Sequence, residues 1–202
     1  MFLEDLLQTP DFHAAMGDLA RPFRERWALP EVDQLGLVVR DVEEAAGILE
    51  ERGIGPFFIA AGTPLLWRER GQERRVRGKM ALTRYQGIEL ELLEPLDGSD
   101  FYTPSVHPEG RIVLHHLGFR VKDVDAWADR LAQAGYPIWV RGRLGLGPIR
   151  TDFAYMDTGE EAGIIVEFIR WRIAGIRFTP PGGVLKAVGW LEKRSGNRCI
   201  ST

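Results

Sequence analysis

Apolar and polar positions follow the same order twice along the chain. Residues 32–57 align without a gap on residues 114–139, at a constant offset that places Gln34 on His116. Each copy opens with an apolar, β-branched segment typical of a strand and continues with apolar residues at helical spacing. The pattern therefore predicts a duplicated structural unit.

Capping residues mark the same helix in both copies. Asp41 and Asp123 follow the opening strands and are suited to cap a helix, because their carboxylates can accept hydrogen bonds from its first turn. Gly53 and Gly135 stand where the helical periodicity ends and predict the helix stops. Further segments typical of strands follow at 57–62, 79–85 and 88–95 in the first copy and at 138–142, 151–157 and 164–171 in the second. Each copy thus predicts the order β-α-β-β-β.

The repeat indicates an α+β chain built from two tandem βαβββ modules with extensions at both ends. Apolar spacing predicts one or two amphipathic helices in the first extension and a short helix over 184–193 in the last. The expected segments are an N-terminal helical extension (1–31), a first module (32–96), a turn-rich connector (97–110), a second module (111–171) and a C-terminal extension (172–202).

Composition and charge exclude several classes of protein. The chain of 202 residues is 45% hydrophobic and 27% charged, and its formal net charge of -3 gives no global reason to expect a nucleic-acid partner. Its one cysteine, Cys199, excludes an intramolecular disulfide and a CxxC metal site. No apolar run reaches the roughly 18 residues of a membrane span. Residues 1–12 lack the charge order of a signal peptide, and we expect a cytoplasmic protein.

Each module offers one polar residue on its opening strand and one glutamate on its closing strand. These residues are Gln34 and Glu91 in the first module, and His116 and Glu167 in the second. The glutamates stand in apolar strands, where a buried carboxylate is costly unless it is paired or bound to a metal. If the opening and closing strands pair at the centre of a curved sheet, the four polar groups converge.

The sequence resembles the vicinal oxygen chelate superfamily over about residues 32–171. The resemblance rests on HHLGFRVKDVD with IIVEFI, and on their pseudo-repeats DQLGLVVRDVE with IELELLEP. This superfamily includes glyoxalase I, methylmalonyl-CoA epimerase, extradiol dioxygenases and bleomycin-resistance proteins. The resemblance implies that the two modules lie side by side and that their sheets curve into an open half-barrel around one central site.

The resemblance also implies a divalent metal held by Gln34, Glu91, His116 and Glu167. Oxygen ligands with one imidazole suit Mg, Mn, Co, Ni, Zn or Fe(II). Such an ion polarises a carbonyl and stabilises the enolate that forms when an adjacent C–H loses its proton. By analogy with glyoxalase-like relatives, Glu167 is the first expected base and Glu91 the second. His115 is one residue out of phase and is expected to point to the other face of the strand.

The expected function is that of a metal-dependent isomerase, epimerase or lyase of the glyoxalase or methylmalonyl-CoA epimerase type. Its substrate would be a small molecule with a carbonyl or thioester, and we expect a homodimer without nucleic-acid or membrane partners. Two alternatives stay open. One is a metal-free small-molecule binding or resistance protein of the same fold. The other, less favoured, is an Fe(II) extradiol dioxygenase, which normally needs two histidines, whereas only His116 is available.

Three local features of the sequence each allow more than one interpretation. Residues 68–84 carry an excess of Lys and Arg, which indicates a solvated strand face or, less favoured, a clamp for the carboxylate or phosphates of a CoA thioester. Glu89 shares a face with Glu91 and is either solvated or a second base. Residues 141–148 resemble a phosphate-binding loop but lack a following helix, so a hairpin or a lid is expected.

Overall fold

The computed structural model describes residues 1–178, 183, 187, 189–191, 194 and 199–201. The α+β fold predicted from the repeat and the open half-barrel implied by the resemblance are both confirmed. The helix expected over 184–193 falls mostly outside the described residues. The helices include α1 (Leu3–Leu7), α2 (Phe12–Asp18), α3 (Arg21–Arg26), α4 (Val42–Glu51), α5 (Val124–Gln133) and α6 (Gly159–Ala162). The strands are β1 (Gln34–Val38), β2 (Phe58–Gly62), β3 (Leu66–Glu69), β4 (Gln72–Glu73), β5 (Arg77–Tyr85), β6 (Ile88–Asp97), β7 (Val113–Arg120), β8 (Ile138–Leu146), β9 (Ile149–Met156), β10 (Ile165–Ile173), β11 (Ile176–Arg177) and β12 (Ile200–Ser201).

The helix in each module begins and ends at the predicted residues. The Asp41 carboxylate accepts hydrogen bonds from two first-turn amides of α4, each at 2.9 Å. Asp123 caps α5 in the same way, at 3.1 and 3.2 Å. Gly53 and Gly135 follow the helices with φ of 81° and 99°, a left-handed conformation that glycine adopts without a steric penalty. Local sequence chemistry therefore sets the ends of both helices.

Strands β1 and β7 join the two modules at the centre of the sheet. They pair antiparallel, with Gln34 opposite Gly118 and Gly36 opposite His116, which is the register of a pseudo-twofold axis. Strand β6 lies parallel to β1, and β10 lies parallel to β7. The order within the described residues is β12-β2-β5-β6-β1-β7-β10-β9-β8-β3-β4, with β11 pairing on β10. The opening and closing strands of both modules thus occupy the middle of the sheet.

The two faces of the sheet have different chemistry. The convex face packs its alternate apolar residues, such as Leu35, Leu37 and Phe119, against α4, α5 and the N-terminal helices in one large core. The concave face carries the polar residues of the central strands beside a smaller aromatic cluster that includes Trp67 and Phe153. No helix of the described residues is long and apolar enough to span a membrane.

A hairpin inserted in the first module was not predicted. Strands β3 and β4 lie between β2 and β5 in the chain, yet β3 pairs with β8 of the second module. Arg70 and Gly71, both with positive φ, form its two-residue turn. Trp67 on β3 is buried in the concave aromatic cluster, so the hairpin extends the half-barrel and anchors a side chain inside it.

The N-terminal extension forms three short helices, where one or two were expected. Its buried side chains, such as Leu6, Phe12 and Phe23, join the main core. Residues 141–148 form the second half of β8 and the turn that leads into β9, which is the hairpin expected there. Most Lys and Arg side chains of residues 68–84 form ion pairs at the surface, such as Arg68 with Glu73 at 2.7 Å. These pairs favour the interpretation of a solvated strand face.

Candidate metal centre

Three of the four residues in the expected ligand set come together on the concave face. Glu91 on β6, His116 on β7 and Glu167 on β10 each offer a ligand atom, and these atoms lie within 4.8 Å of one another. His116 Nε2 lies 3.0 Å from Glu167 Oε2 and 3.6 Å from Glu91 Oε2. All three residues are buried. The imidazole therefore stands between two carboxylates, one from each module.

The register of the central strands explains this convergence. Gly36 lies opposite His116 on one side and Glu91 on the other, while Gly118 lies opposite Glu167 and Gln34 in the corresponding place. A Cβ added at Gly36 would lie 1.7 Å from His116 Cε1. Glycine at this position therefore leaves the space in which the imidazole lies.

Gln34 lies on the same face but is held by a different partner. Its Nε2 donates a hydrogen bond to Glu89 Oε1 at 2.9 Å, and its Oε1 is buried without a hydrogen-bond partner in the described part of the chain. Glu89 in turn lies 3.6 Å from Arg120 Nη2. Burial raises the pKa of Glu89 to about 7, although the charge of Arg120 opposes the rise. The Glu89 contact thus fixes the amide of Gln34 and leaves its oxygen free to accept.

The chemistry of the cluster fits a divalent cation. His116 Nε2 and Glu167 Oε2 are buried and, although close, make no hydrogen bond of acceptable geometry. Burial and the charge of Glu167 raise the pKa of Glu91. Burial disfavours the charged form of His116, but the carboxylates of Glu167 and Glu91 outweigh it and raise its pKa to about 9. Two carboxylates at one imidazole create a local negative field, which a cation would neutralise.

The expectation that His115 points to the other face is wrong. Strand β7 contains a bulge, because His116 pairs with Gly36 while Leu114 pairs with Leu37, so His115 is the extra residue. A period-two count fails at such an insertion. His115 Nδ1 lies 3.2 Å from His116 Nδ1, and His115 Nε2 lies 3.4 Å from the carbonyl oxygen of Phe101.

These contacts make His115 a residue that orients His116. If His115 Nε2 carries the proton toward the Phe101 carbonyl, its Nδ1 can accept from His116 Nδ1–H. Burial and the neighbouring charge of His116 lower the pKa of His115 to about 3, so it is neutral and keeps this acceptor. Once a cation replaces the Nε2 proton of His116, this arrangement leaves the remaining proton on Nδ1 and the Nε2 lone pair free, as a metal ligand requires.

An aromatic cluster beside the centre was not predicted from the sequence. Phe101 and Tyr102, from the segment expected to be a mere connector, pack against His115 with ring centroids 5.0 Å away. Tyr102 donates a hydrogen bond to the hydroxyl of Tyr155 at 2.8 Å, and the Tyr155 ring lies 4.9 Å from that of His116. Burial and the charges of Glu91 and Glu167 raise the pKa of both tyrosines, so they remain protonated.

Comparisons with known proteins agree with this architecture. The family model described as "Glyoxalase/Bleomycin resistance protein/Dioxygenase superfamily" matches residues 33–155. None of the curated proteins compared matches the chain. A variant of the Streptomyces coelicolor methylmalonyl-CoA epimerase, in complex with 2-nitronate-propionyl-CoA, is 18% identical with a TM-score of 0.50, over 75% of this chain and 99% of that chain. A methylmalonyl-CoA epimerase in complex with methylmalonyl-CoA and NH4+ is 18% identical with a TM-score of 0.47, over 68% and 92%. At such identities the likeness shows the fold alone.

Proposed function

We propose that this chain, which belongs to the glyoxalase/bleomycin resistance protein/dioxygenase superfamily, is a metal-dependent isomerase, epimerase or lyase. The reaction would remove a proton from carbon next to a carbonyl or thioester. The observation that carries this proposal is the buried cluster of Glu91, His116 and Glu167, in which one imidazole stands between two carboxylates. The ligand set would be completed by the free amide oxygen of Gln34.

The chain's own residues suggest how the work would be divided. A bound divalent cation would supply Lewis-acid stabilisation of an enolate oxygen. Glu167 is the first candidate to take the proton and Glu91 the second, since a carboxylate that leaves such a cluster becomes a base beside the substrate. His115 would hold His116 in its metal-binding tautomer, and the hydroxyl of Tyr155, which accepts a hydrogen bond from Tyr102, would donate one to a polar group at the centre.

The candidate centre is closed to solvent. Glu91, His116 and Glu167 are all buried, and Phe101 and Tyr102 pack against the neighbouring His115. A substrate would therefore reach the centre only after side chains around it move. Such a closed site would keep water from the enolate while the proton is transferred.

Metal content and proton exchange test the proposal together. The protein is stripped with a chelator, reconstituted separately with Mn, Co, Ni, Zn, Mg and Fe(II), and its metal-to-protein ratio is measured. Exchange of substrate C–H for deuterium is then followed by NMR, with methylmalonyl-CoA and the hemithioacetal of methylglyoxal and glutathione as probes. We expect a ratio near one and, in Glu167→Gln, a loss of exchange of about 10²-fold or more.

The matched control is Glu51→Gln, which removes an exposed carboxylate at the end of α4. It should keep both the metal and the exchange. Failure of every metal to bind the reconstituted protein would refute the proposed function, as would unchanged metal content and exchange in both Glu167→Gln and Glu91→Gln.

One observation favours a second candidate, a metal-free binding or resistance protein of the same fold. Protonated His116 can itself neutralise part of the charge of Glu91 and Glu167, with which it is in direct contact. In that case the cluster would be structural, and binding of a small molecule would not depend on any added metal. The dioxygenase alternative is less favoured, because His115 directs its nitrogens to His116 and Phe101 and leaves the centre with one imidazole.

A further inference from the structure

A cationic cavity opens at the carboxyl end of β7, beyond the candidate metal centre. Arg120 lies four residues beyond His116 on this strand, which is about 13 Å along it. The cavity has a volume of about 350 Å³, within the usual range for small-ligand pockets. Its lining includes four cationic and two aromatic side chains: Arg120, Lys122, Arg170, Arg177, Trp171 and Phe178. We call this cavity the basic notch.

The sheet itself creates the basic notch. The last ladder bond between β7 and β10 runs from Val121 N to Ile169 O, at 2.9 Å. Beyond this bond, β11 replaces β7 as the neighbour of β10, and Arg177 pairs with Arg172. Phe178 N donates to Trp171 O at 3.1 Å. The notch is therefore the gap that β7 leaves when its chain turns into α5, and the β10–β11 hairpin closes its far side.

The charges around the basic notch are only partly balanced. Arg120 bonds to Asp33, with Nε donating at 2.9 Å. Arg170 lies 3.1 Å from Asp152, but that carboxylate is shared with two further arginines. Lys122 and Arg177 are exposed, and neither makes an ion pair within the described part of the chain. Among the residues that the structure describes, the notch thus has two cations without a counter-charge and no carboxylate in its lining.

Hydrogen-bond donors around the notch also lack partners. Nη1 of Arg120, Nε of Arg170 and Nε1 of Trp171 are buried and have no acceptor among the described residues. A buried N–H without an acceptor is costly, and three on residues that line one cavity indicate a ligand rich in acceptor oxygens. A carboxylate offers two oxygens and one charge, whereas a phosphoryl group offers three oxygens and close to two charges.

We propose that the basic notch is a binding site for a phosphoryl dianion, separate from the metal centre. Lys122 and Arg177 supply the two balancing charges, the unpartnered N–H groups of Arg120 and Trp171, which lie on the same face of the sheet, bind the oxygens, and Arg170 adds positive charge from the other face. The rings of Trp171 and Phe178 offer an apolar surface for the organic part of a phosphate ester. The proposal goes beyond the proposed function and does not depend on it, because none of these residues belongs to the metal cluster.

The experiment measures the thermal midpoint and the Kd of the full-length protein with two probes, inorganic phosphate and phenyl phosphate. Sodium chloride at equal ionic strength is the reference for general charge screening. We expect both probes to raise the midpoint above the chloride reference. Equal affinities would assign the site to free phosphate, and tighter binding of phenyl phosphate would assign it to an ester with a flat organic group.

The decisive variant is the double substitution Lys122→Gln with Arg177→Gln, and Arg52→Gln is its matched control. All three residues are exposed, and Arg52 lies at the end of α4, outside the notch. The double variant should weaken phosphate binding about tenfold or more, while the control retains wild-type affinity. Midpoints no higher in phosphate than in chloride would overturn the proposal. So would an undiminished phosphate effect in the double variant, or an equal loss in the control.

Discussion

Replacing Glu91 by glutamine should stabilise the metal-free protein. Glu91 is buried 3.6 Å from His116 Nε2, and its ligand atom lies within 4.8 Å of that of Glu167. At an effective dielectric constant of about 20, its attraction to protonated His116 and its repulsion from Glu167 are each on the order of 4 kcal/mol. These energies nearly cancel, so the cost of removing the carboxylate from water is left uncompensated.

The magnitude follows from this imbalance. Glutamine keeps the shape of the side chain, removes one charge, and leaves His116 and Glu167 as a balanced pair. We expect the free energy of unfolding in the presence of a chelator to rise by about 1–3 kcal/mol. In a chain of this size, that corresponds to an increase of about 2–4 °C in Tm for each kcal/mol.

Added metal should reverse the advantage of the variant. Wild type in a metal concentration of about 100 times its Kd should gain about 2.7 kcal/mol, and Glu91→Gln should gain much less because a ligand is lost. Urea unfolding followed by circular dichroism, with a chelator and then with Mn(II) or Co(II), measures both differences. Glu51→Gln is the control and should change neither. The reasoning is refuted if Glu91→Gln lowers the metal-free stability by more than about 1 kcal/mol, or if it keeps the whole metal-dependent gain.

Three further predictions concern the surroundings of the centre. His115→Phe removes the acceptor for His116 Nδ1 and should weaken metal binding about 10–100-fold in a competition titration, whereas unchanged affinity would dismiss the orienting role. Gly36→Ala places a Cβ 1.7 Å from the His116 ring and should reduce metal content strongly while circular dichroism stays native; full occupancy would contradict the tight packing. Asp152→Asn leaves three arginines without their shared carboxylate and should cost about 3–5 kcal/mol in urea unfolding. These arginines hold the pKa of Asp152 below its ordinary value despite its burial. The stabilising contribution of Asp152 should therefore be complete above about pH 4 and be lost as the pH falls through the lowered pKa. A pH series in which the free energy of unfolding of Asp152→Asn lies below that of wild type by the same amount at every pH would contradict this prediction.

The repeat made much of the fold predictable from sequence. Asp41 and Gly53, with their counterparts in the second copy, bound the helices by local chemistry that a single sequence displays. The register also agrees with the choice of Glu91 over Glu89 as the counterpart of Glu167. Glu91 pairs with Gly36 as Glu167 pairs with Gly118, whereas Glu89 occupies the place of Ile165 in the other module.

The remaining features depend on contacts that a local pattern does not contain. The bulge at His115 adds one residue to β7, which changes the face of a side chain without altering the apolar pattern around it. The β3–β4 hairpin pairs with β8, in which Arg143 lies opposite Leu66 and Val140 opposite Glu69, and nothing in its own residues specifies so distant a partner. Phe101 and Tyr102 lie in a segment without helical or strand periodicity, where their aromatic character is the only sequence signal that indicates burial.

The central claim is that Glu91, His116 and Glu167 bind a divalent cation in one site. Anomalous diffraction from crystals of the protein reconstituted with Co(II) or Mn(II), recorded on both sides of the metal absorption edge, tests it most directly. The account predicts one strong peak between the two modules, about 2.0–2.2 Å from His116 Nε2 and from a carboxylate oxygen of each glutamate. A peak bound elsewhere, or a fully metallated protein with no peak at these three residues, would contradict it.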